Sequence, residues 1–236
     1  MFTIRTFILS LIAITNIMHG ASQIVYQPEN TIIAFDIHDV IAHTDIYGMC
    51  NRAVNFEKKQ EVLLRMFQIQ FLKKLVSSMW KQLTFQNILP ICDKYNPALS
   101  ELMLDMATEQ ALKPEVVEIL KKLKAAGYTL HIVSNIERRS LDVLKIKYPD
   151  VFDVFTVEYI PYTHHQKSGK LIRKPDHKFF NDYLMTCVPE GHHVIFVDDL
   201  PKNIAGAAAC GMHALMFINA TELKYALEKL TLITDD

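Results

Sequence analysis

The chain has 236 residues, of which 50% are hydrophobic and 22% are charged. This composition is typical of a globular protein and excludes a disordered chain. At about 150 residues per domain, the length predicts one large domain or one domain with an insert. The net charge of −1 excludes a strongly basic surface, so we expect no nucleic-acid partner. Four cysteines without a C-x-x-C pair indicate neither a disulfide scaffold nor a zinc site.

The N-terminal segment has the pattern of a secretory signal peptide. Arg5 precedes a mostly apolar run from Thr6 to Met18, and small residues follow from Gly20 to Ser22. The run is too short to cross a bilayer of roughly 30 Å as a helix. We therefore predict that residues 1–22 are removed and that the protein is exported, periplasmic or secreted, with no stable membrane span. A buried N-terminal helix in a cytoplasmic protein is the alternative.

Further along the chain, apolar runs alternate with helical patterns. Runs that are apolar on both faces indicate strands of a buried parallel sheet, and they are Thr31–Phe35, Thr129–Val133, His193–Val197, His213–Ile218 and the weaker Val154–Tyr159. Helices are predicted over Pro114–Ala126, Asn203–Cys210 and Leu223–Leu230. This alternation predicts an α/β fold with a three-layer, Rossmann-like parallel sheet as its core.

One stretch, residues 45–112, interrupts the alternation. No strand is evident in it, and apolar residues recur at helical spacing over Val62–Leu83 and Leu99–Ala111. The stretch is too long for a crossover helix. We therefore predict a helical insert after the first strand, with a core built from residues 23–44 and 113–236.

Polar residues follow the predicted strands at the point where each strand ends. Asp36 follows the first strand, Ser134 and Asn135 the second, and Asp198 and Asp199 the third. Ligands of open parallel sheets bind at the carboxyl ends of the strands, so these residues predict a site.

The residue types at this predicted site suit phosphate chemistry. Aspartate oxygens are the ligands that Mg²⁺ prefers together with substrate phosphate. Ser134 offers a hydrogen-bond donor to phosphoryl oxygens, and Lys174, in Arg173–Asp176, offers a positive charge. An aspartate beside a metal can also act as a nucleophile.

Four segments resemble, in order, the four motifs of the haloacid dehalogenase (HAD) superfamily: Phe35–Ile41, Ile132–Asn135, Arg173–Asp176 and Phe196–Asn203. Each motif alone is weakly specific, whereas four in order with helices between them are strongly specific. The resemblance implies a Mg²⁺-dependent phosphatase for a small phosphorylated metabolite, in which the insert is a helical cap that closes over the site.

The resemblance also implies a role for each site residue. Asp36 would be the nucleophile and a metal ligand, and the backbone carbonyl of His38 would also face the metal. Ser134 and the backbone amide of Asn135 would hold the phosphate, and Lys174 would pair with both nucleophile and phosphate. The metal ligands are completed, directly or through water, by Asp198 and Asp199.

The sequence departs from the phosphatase pattern two residues after the nucleophile. Phosphatases of the superfamily usually have a second aspartate there, which protonates the leaving group, and this chain has His38. Three interpretations stay open. His38 acts as the general acid and base, Asp39 reaches in instead, or neither residue serves.

The departure leaves two alternatives to a phosphatase. The 2-haloacid dehalogenases of the superfamily also lack the second aspartate, but they use no Mg²⁺ and do not normally carry an acidic pair like Asp198 and Asp199. A weakly active or inactive binding protein that keeps the fold is the other alternative.

Overall fold

A parallel sheet lies at the centre of the chain in a computed structural model that describes residues 24–66, 91–107, 109–161 and 172–234. Its strands are β1 (Thr31–Phe35), β4 (Thr129–Val133), β5 (Phe155–Tyr159), β6 (His193–Asp198) and β7 (His213–Met216). Their order is β5–β4–β1–β6–β7, and all neighbours are parallel. The predicted signal peptide, residues 1–22, lies outside the described residues.

The central strand β1 is buried at all five positions, with β4 on one side and β6 on the other. Its residues are apolar on both faces because both faces of the sheet are covered. Two apolar clusters form the core, one on each face of the sheet.

The stretch between β1 and β4 is largely helical where it is described. It contains α1 (Ile46–Asn55), α2 (Lys59–Met66) and α3 (Pro97–Ala107). These helices share a small apolar cluster of their own, formed by Phe56, Val62, Ala98 and Leu102. Residues 67–90, which include most of the helical pattern predicted over Val62–Leu83, lie outside the described residues.

Two short strands, β2 (Ala42–Thr44) and β3 (Gln110–Leu112), pair antiparallel on either side of these helices. The expectation that residues 45–112 contain no strand was therefore wrong at its C-terminal end, and α3 stops at Ala107 instead of continuing to Ala111. A strand of three residues is too short to show a hydrophobic period, which is why the pattern missed it.

The remaining helices cover the two faces of the sheet. On one face lie α4 (Pro114–Ala125), α5 (Arg138–Lys147), the short α6 (Pro149–Phe152) and α9 (Ala220–Lys229). On the other face lie α7 (His177–Cys187) and α8 (Pro201–Ala209). The predicted three-layer α/β architecture is confirmed. Among the described residues, no helix combines the length and apolar character needed to cross a bilayer.

Candidate active site

The polar residues predicted at the strand ends come together at the carboxyl edge of β1, β4 and β6. Asp36 directly follows β1, and its backbone amide donates to the carbonyl of Val197 on β6 (2.9 Å). Ser134 directly follows β4, and its amide donates to the carbonyl of Tyr159 on β5 (3.2 Å). The sheet hydrogen bonding thus fixes where both side chains begin.

Lys174 lies buried between two of the aspartates. Its ammonium is 2.6 Å from Oδ2 of Asp198 and 3.0 Å from Oδ2 of Asp36. It also donates to the carbonyl of Val133 at 3.0 Å. An ammonium has three protons, so each of them has an acceptor here.

Asp198 is fully buried and is held by several donors. Its Oδ1 accepts from the amide of Leu200 (2.9 Å), and Nδ2 of Asn203 lies 2.9 and 3.0 Å from its two oxygens. Asn203 lies at the end of the segment that resembles the fourth motif, but no role is predicted for it from the sequence. Its signal is the spacing, because Asn203 stands five residues after Asp198 in the first turn of α8. Among the described residues, Oδ1 of Asn203 is a buried oxygen without a hydrogen-bond donor.

The aspartates differ in how the surroundings shift their pKa values. Burial raises the pKa of Asp36, but the ammonium of Lys174 and the hydrogen bond from Ser134 outweigh it, so the pKa lies below its usual value. Burial and the charge of Asp36 raise the pKa of Asp198 despite Lys174. Burial and the charges of Asp198 and Asp36 raise the pKa of Asp199. Asp36 is therefore ionised at neutral pH, whereas the acidic pair is under like-charge repulsion.

Carboxylate oxygens of Asp36, Asp198 and Asp199 lie within 4.8 Å of one another. Hard oxygen donors at this spacing fit a Mg²⁺ ion, and a dication would relieve the repulsion that raises the pKa of Asp199. Asp198 has most of its acceptor capacity engaged by Lys174, Asn203 and Leu200, so Asp36 and Asp199 have the freer oxygens for a metal. The three carboxylates of the predicted donor set therefore fit the ion.

His38 and Asp39 lie in a tight turn between β1 and β2. The carbonyl of Ile37 accepts from the amides of Ile41 and Ala42 at 2.9 Å, and Asp39 has a φ of 59°. Aspartate is one of the few residues that tolerate this left-handed conformation. His38 is half-buried, and burial lowers the pKa of its imidazole although Asp36 and Asp39 oppose this. Asp39 is exposed.

The loop after β4 is held by two side chains. Oδ1 of Asn135 accepts from the backbone amide of Lys174, and Nδ2 of Asn135 donates to the Lys174 carbonyl, both at 3.0 Å. Glu137 is buried and caps α5 by accepting from the amides of Arg139 (2.8 Å) and Ser140 (3.2 Å). Glutamate is not a preferred capping residue, so no pattern in the sequence points to Glu137.

A family model described as haloacid dehalogenase-like hydrolase matches residues 31–211. The chain belongs to this family. The matched residues run from β1 to the end of α8 and include every residue of the HAD site described above. The chain is accordingly a hydrolase of the HAD superfamily.

One protein similar to this chain is much longer than the chain itself. The mouse protein named bifunctional epoxide hydrolase 2 is 23% identical, and the match covers 85% of this chain but only 38% of that protein. The chain thus spans less than two fifths of the length of this relative.

Solved structures share the fold at low sequence identity. A dehalogenase structure has a TM-score of 0.54 at 17% identity and covers 86% of this chain and 99% of its own. The HAD-hydrolase YfnB of Bacillus subtilis, bound to magnesium, has a TM-score of 0.54 at 13% identity and covers 84% and 99%. The L-2-haloacid dehalogenase of Xanthobacter autotrophicus with covalently bound chloropropionic acid has a TM-score of 0.52 at 13% identity and covers 86% and 84%. At these identities the likeness concerns the fold alone.

Proposed function

We propose that this HAD hydrolase is a Mg²⁺-dependent phosphomonoester hydrolase that acts through an aspartyl-phosphate on Asp36. The observation that carries the proposal is the convergence of Asp36, Asp198 and Asp199 around one point, with Lys174 beside it. A phosphate dianion approaching Asp36 meets the repulsion of three carboxylates. A divalent cation, when bound, screens this repulsion and polarises the phosphoryl oxygens.

The residues of the chain would share the work in two steps. In the first, the ionised carboxylate of Asp36 attacks phosphorus, an O–P bond forms, and the P–O bond to the leaving alcohol breaks. Lys174 and the hydroxyl of Ser134 already contact Asp36, so they would also meet the transferring phosphoryl oxygens. In the second step, water attacks the aspartyl-phosphate and releases inorganic phosphate. His38 would give the leaving alcohol its proton and later take one from water.

The insert would act as the cap of this site, closing over bound substrate. Residues 1–22 would direct the protein to export before their removal. The substrate would be a small phosphorylated metabolite.

A second candidate is a 2-haloacid dehalogenase. The observation that favours it is His38, since halide departure needs no proton and therefore no second aspartate. In this case Asp36 would displace halide from carbon, and the ester would be hydrolysed without a metal.

One experiment separates these candidates. We expect the full chain to hydrolyse p-nitrophenyl phosphate with Mg²⁺, to stop when EDTA is added, and to recover with excess Mg²⁺. Asp36→Asn should lower turnover at least ~10³-fold, whereas Asp150→Asn, an exposed aspartate outside the site, should not. Activity retained in Asp36→Asn would exclude the nucleophile assignment. Chloride release from 2-chloropropionate in EDTA would instead support the dehalogenase. Mg²⁺ binding without either turnover would support a binding protein.

A further inference from the structure

The backbone of Lys174 lies in a turn and belongs to none of the described strands or helices. Its ammonium is nevertheless fully buried and reaches Asp36, Asp198 and the carbonyl of Val133 at once. Since all three acceptors are fixed by β1, β4 and β6, the position of the ammonium depends on how the turn is anchored. A displacement of about 1 Å at such a group can cost ~10² in rate.

Asn135 supplies this anchor through its side chain. The amide accepts from the backbone N–H of Lys174 and donates to the carbonyl of the same residue, both at 3.0 Å. Paired N–H and C=O bonds of this kind are what a neighbouring strand would give. The side chain of Asn135 thus gives Lys174, which lies beyond the end of the sheet, the pair of backbone hydrogen bonds that a neighbouring strand would give.

The same short loop also carries the Ser134 hydroxyl, which bonds to Asp36 and accepts from the amide of Ile136 at 3.2 Å. The loop after β4 therefore places two groups beside Asp36. It carries the hydroxyl of Ser134 itself, and it anchors the ammonium of Lys174 through Asn135. Two of the four hydrogen-bonding positions of the Asn135 carboxamide are engaged by the backbone of Lys174.

We propose that Asn135 is a positioning residue for Lys174, and that its side chain influences turnover only through the placement of the Lys174 ammonium between Asp36 and Asp198. As far as turnover is concerned, this rests on the proposed phosphatase function. The anchoring itself does not.

The anchoring is tested by hydrogen exchange of the Lys174 backbone amide, measured by NMR on the full chain without substrate. The amide should be protected in the wild type and in Asn135→Asp, which keeps the acceptor, and should exchange at least ~10-fold faster in Asn135→Ala. Asn181→Ala, an exposed asparagine on α7, is the matched control and should leave the amide protected. Unchanged protection in Asn135→Ala would overturn the proposal, and this holds whether or not the protein hydrolyses any phosphate.

The link to turnover is tested by a double-mutant cycle with p-nitrophenyl phosphate. Asn135→Ala should lower kcat by ~10² with a smaller change in KM. In a Lys174→Met background, which keeps the apolar stem, Asn135→Ala should have no further effect. Independent losses that multiply, or a loss confined to KM, would show that Asn135 acts on the substrate itself. If Lys174→Met leaves no measurable rate, Asn135→Ala decides alone, and a kcat equal to that of the wild type would overturn the proposal.

Discussion

Lys174 shows at the scale of one residue how this site is built. Burying an ammonium in a protein core is costly unless the charge is paired and each proton is bonded. Here Asp36, Asp198 and the carbonyl of Val133 supply those partners at 2.6–3.0 Å. Buried ion pairs of this kind contribute little net stability but hold their members in one geometry. The burial of the Lys174 ammonium is therefore better explained by its position beside Asp36 than by any gain in folding free energy.

His38 is the residue proposed to move the proton in each step of the phosphatase reaction. General acid–base catalysis contributes about 10²–10⁴ in rate, so His38→Gln should lower kcat/KM for an alkyl phosphate by that factor. The same variant should lose much less in kcat/KM with p-nitrophenyl phosphate, because kcat/KM reports the first step, in which p-nitrophenolate leaves without a proton. Steady-state kinetics with both substrates measure the difference.

Asp39→Asn separates the first two of the three interpretations that the sequence left open for this step. Asp39 is exposed and lies in the left-handed conformation at the tip of the turn. Asparagine tolerates that conformation equally well, so the substitution should leave the turn intact. If Asp39→Asn shows the leaving-group dependence and His38→Gln does not, the acid is Asp39.

At the scale of elements, the sequence predicted the continuous apolar strands and missed the short strands β2 and β3 and the helix α5. All five strands of the sheet were found to within two residues, because four of them lie in apolar runs closed by a polar residue, whereas β5 contains Thr156 and Glu158 and was the weaker candidate. The same runs located Asp36, Ser134 and Asp198, since a parallel sheet brings its carboxyl ends together. Helix α5 shows no comparable pattern, because half of its ten residues are charged. Its buried residues are Ser140, Leu141 and Leu144, and only the two leucines among them are apolar. The contacts of Asn135 with Lys174 depend on the folded loop geometry and cannot be derived from spacing, whereas Asn203 has a spacing signal in its place five residues after Asp198.

The close packing of α8 on the Lys174 turn gives a prediction for Gly206. A Cβ at Gly206 would lie 2.7 Å from the carbonyl oxygen of Pro175 and 2.9 Å from the ring of Phe180. Both distances are below normal contact, so Gly206→Ala must shift α8 or the turn. We expect a loss of about 1–3 kcal/mol in the free energy of unfolding, measured by urea denaturation, and a lower kcat.

Ala208→Gly provides the control for Gly206→Ala, because Ala208 is exposed on the same helix. Helix propensity alone would make Gly206→Ala stabilising and Ala208→Gly destabilising, each by up to about 1 kcal/mol. A gain in stability for Gly206→Ala would therefore show that the helix and the turn are not in close contact.

At the scale of the whole molecule, the insert contacts the core next to the loop that follows β4. Helix α3 packs against α5, and Arg139 of α5 forms two hydrogen bonds with Asp93 of the insert, at 2.9 and 3.1 Å. Arg139 lies in the first turn of α5, directly after the loop that carries Ser134 and Asn135. A change in the position of the insert would therefore shift the loop whose Asn135 anchors Lys174. This coupling supports the proposed role of the insert as a cap.

The stability of the whole molecule should depend on pH through His131, which lies in β4 under the cover of α7. Its Nδ1 is 2.9 Å from the hydroxyl of Tyr183, and burial lowers the pKa of His131 from 6.5 to about 4. Between these two pH values the unfolded chain binds a proton that the folded protein excludes, so the free energy of unfolding falls as the pH falls. A shift of this size corresponds to about 3 kcal/mol between pH 6.5 and 4.

Urea denaturation over this pH range tests the prediction. His131→Gln should flatten the dependence, because glutamine does not titrate and its amide can still bond to Tyr183. His43→Gln, at an exposed histidine, should leave the dependence unchanged. His38 and His213, whose pKa values burial also lowers, add losses in the same direction, so some dependence persists in His131→Gln. An equal slope in His131→Gln and the wild type would assign the acid sensitivity to other groups and would mean that water reaches His131 in the folded protein.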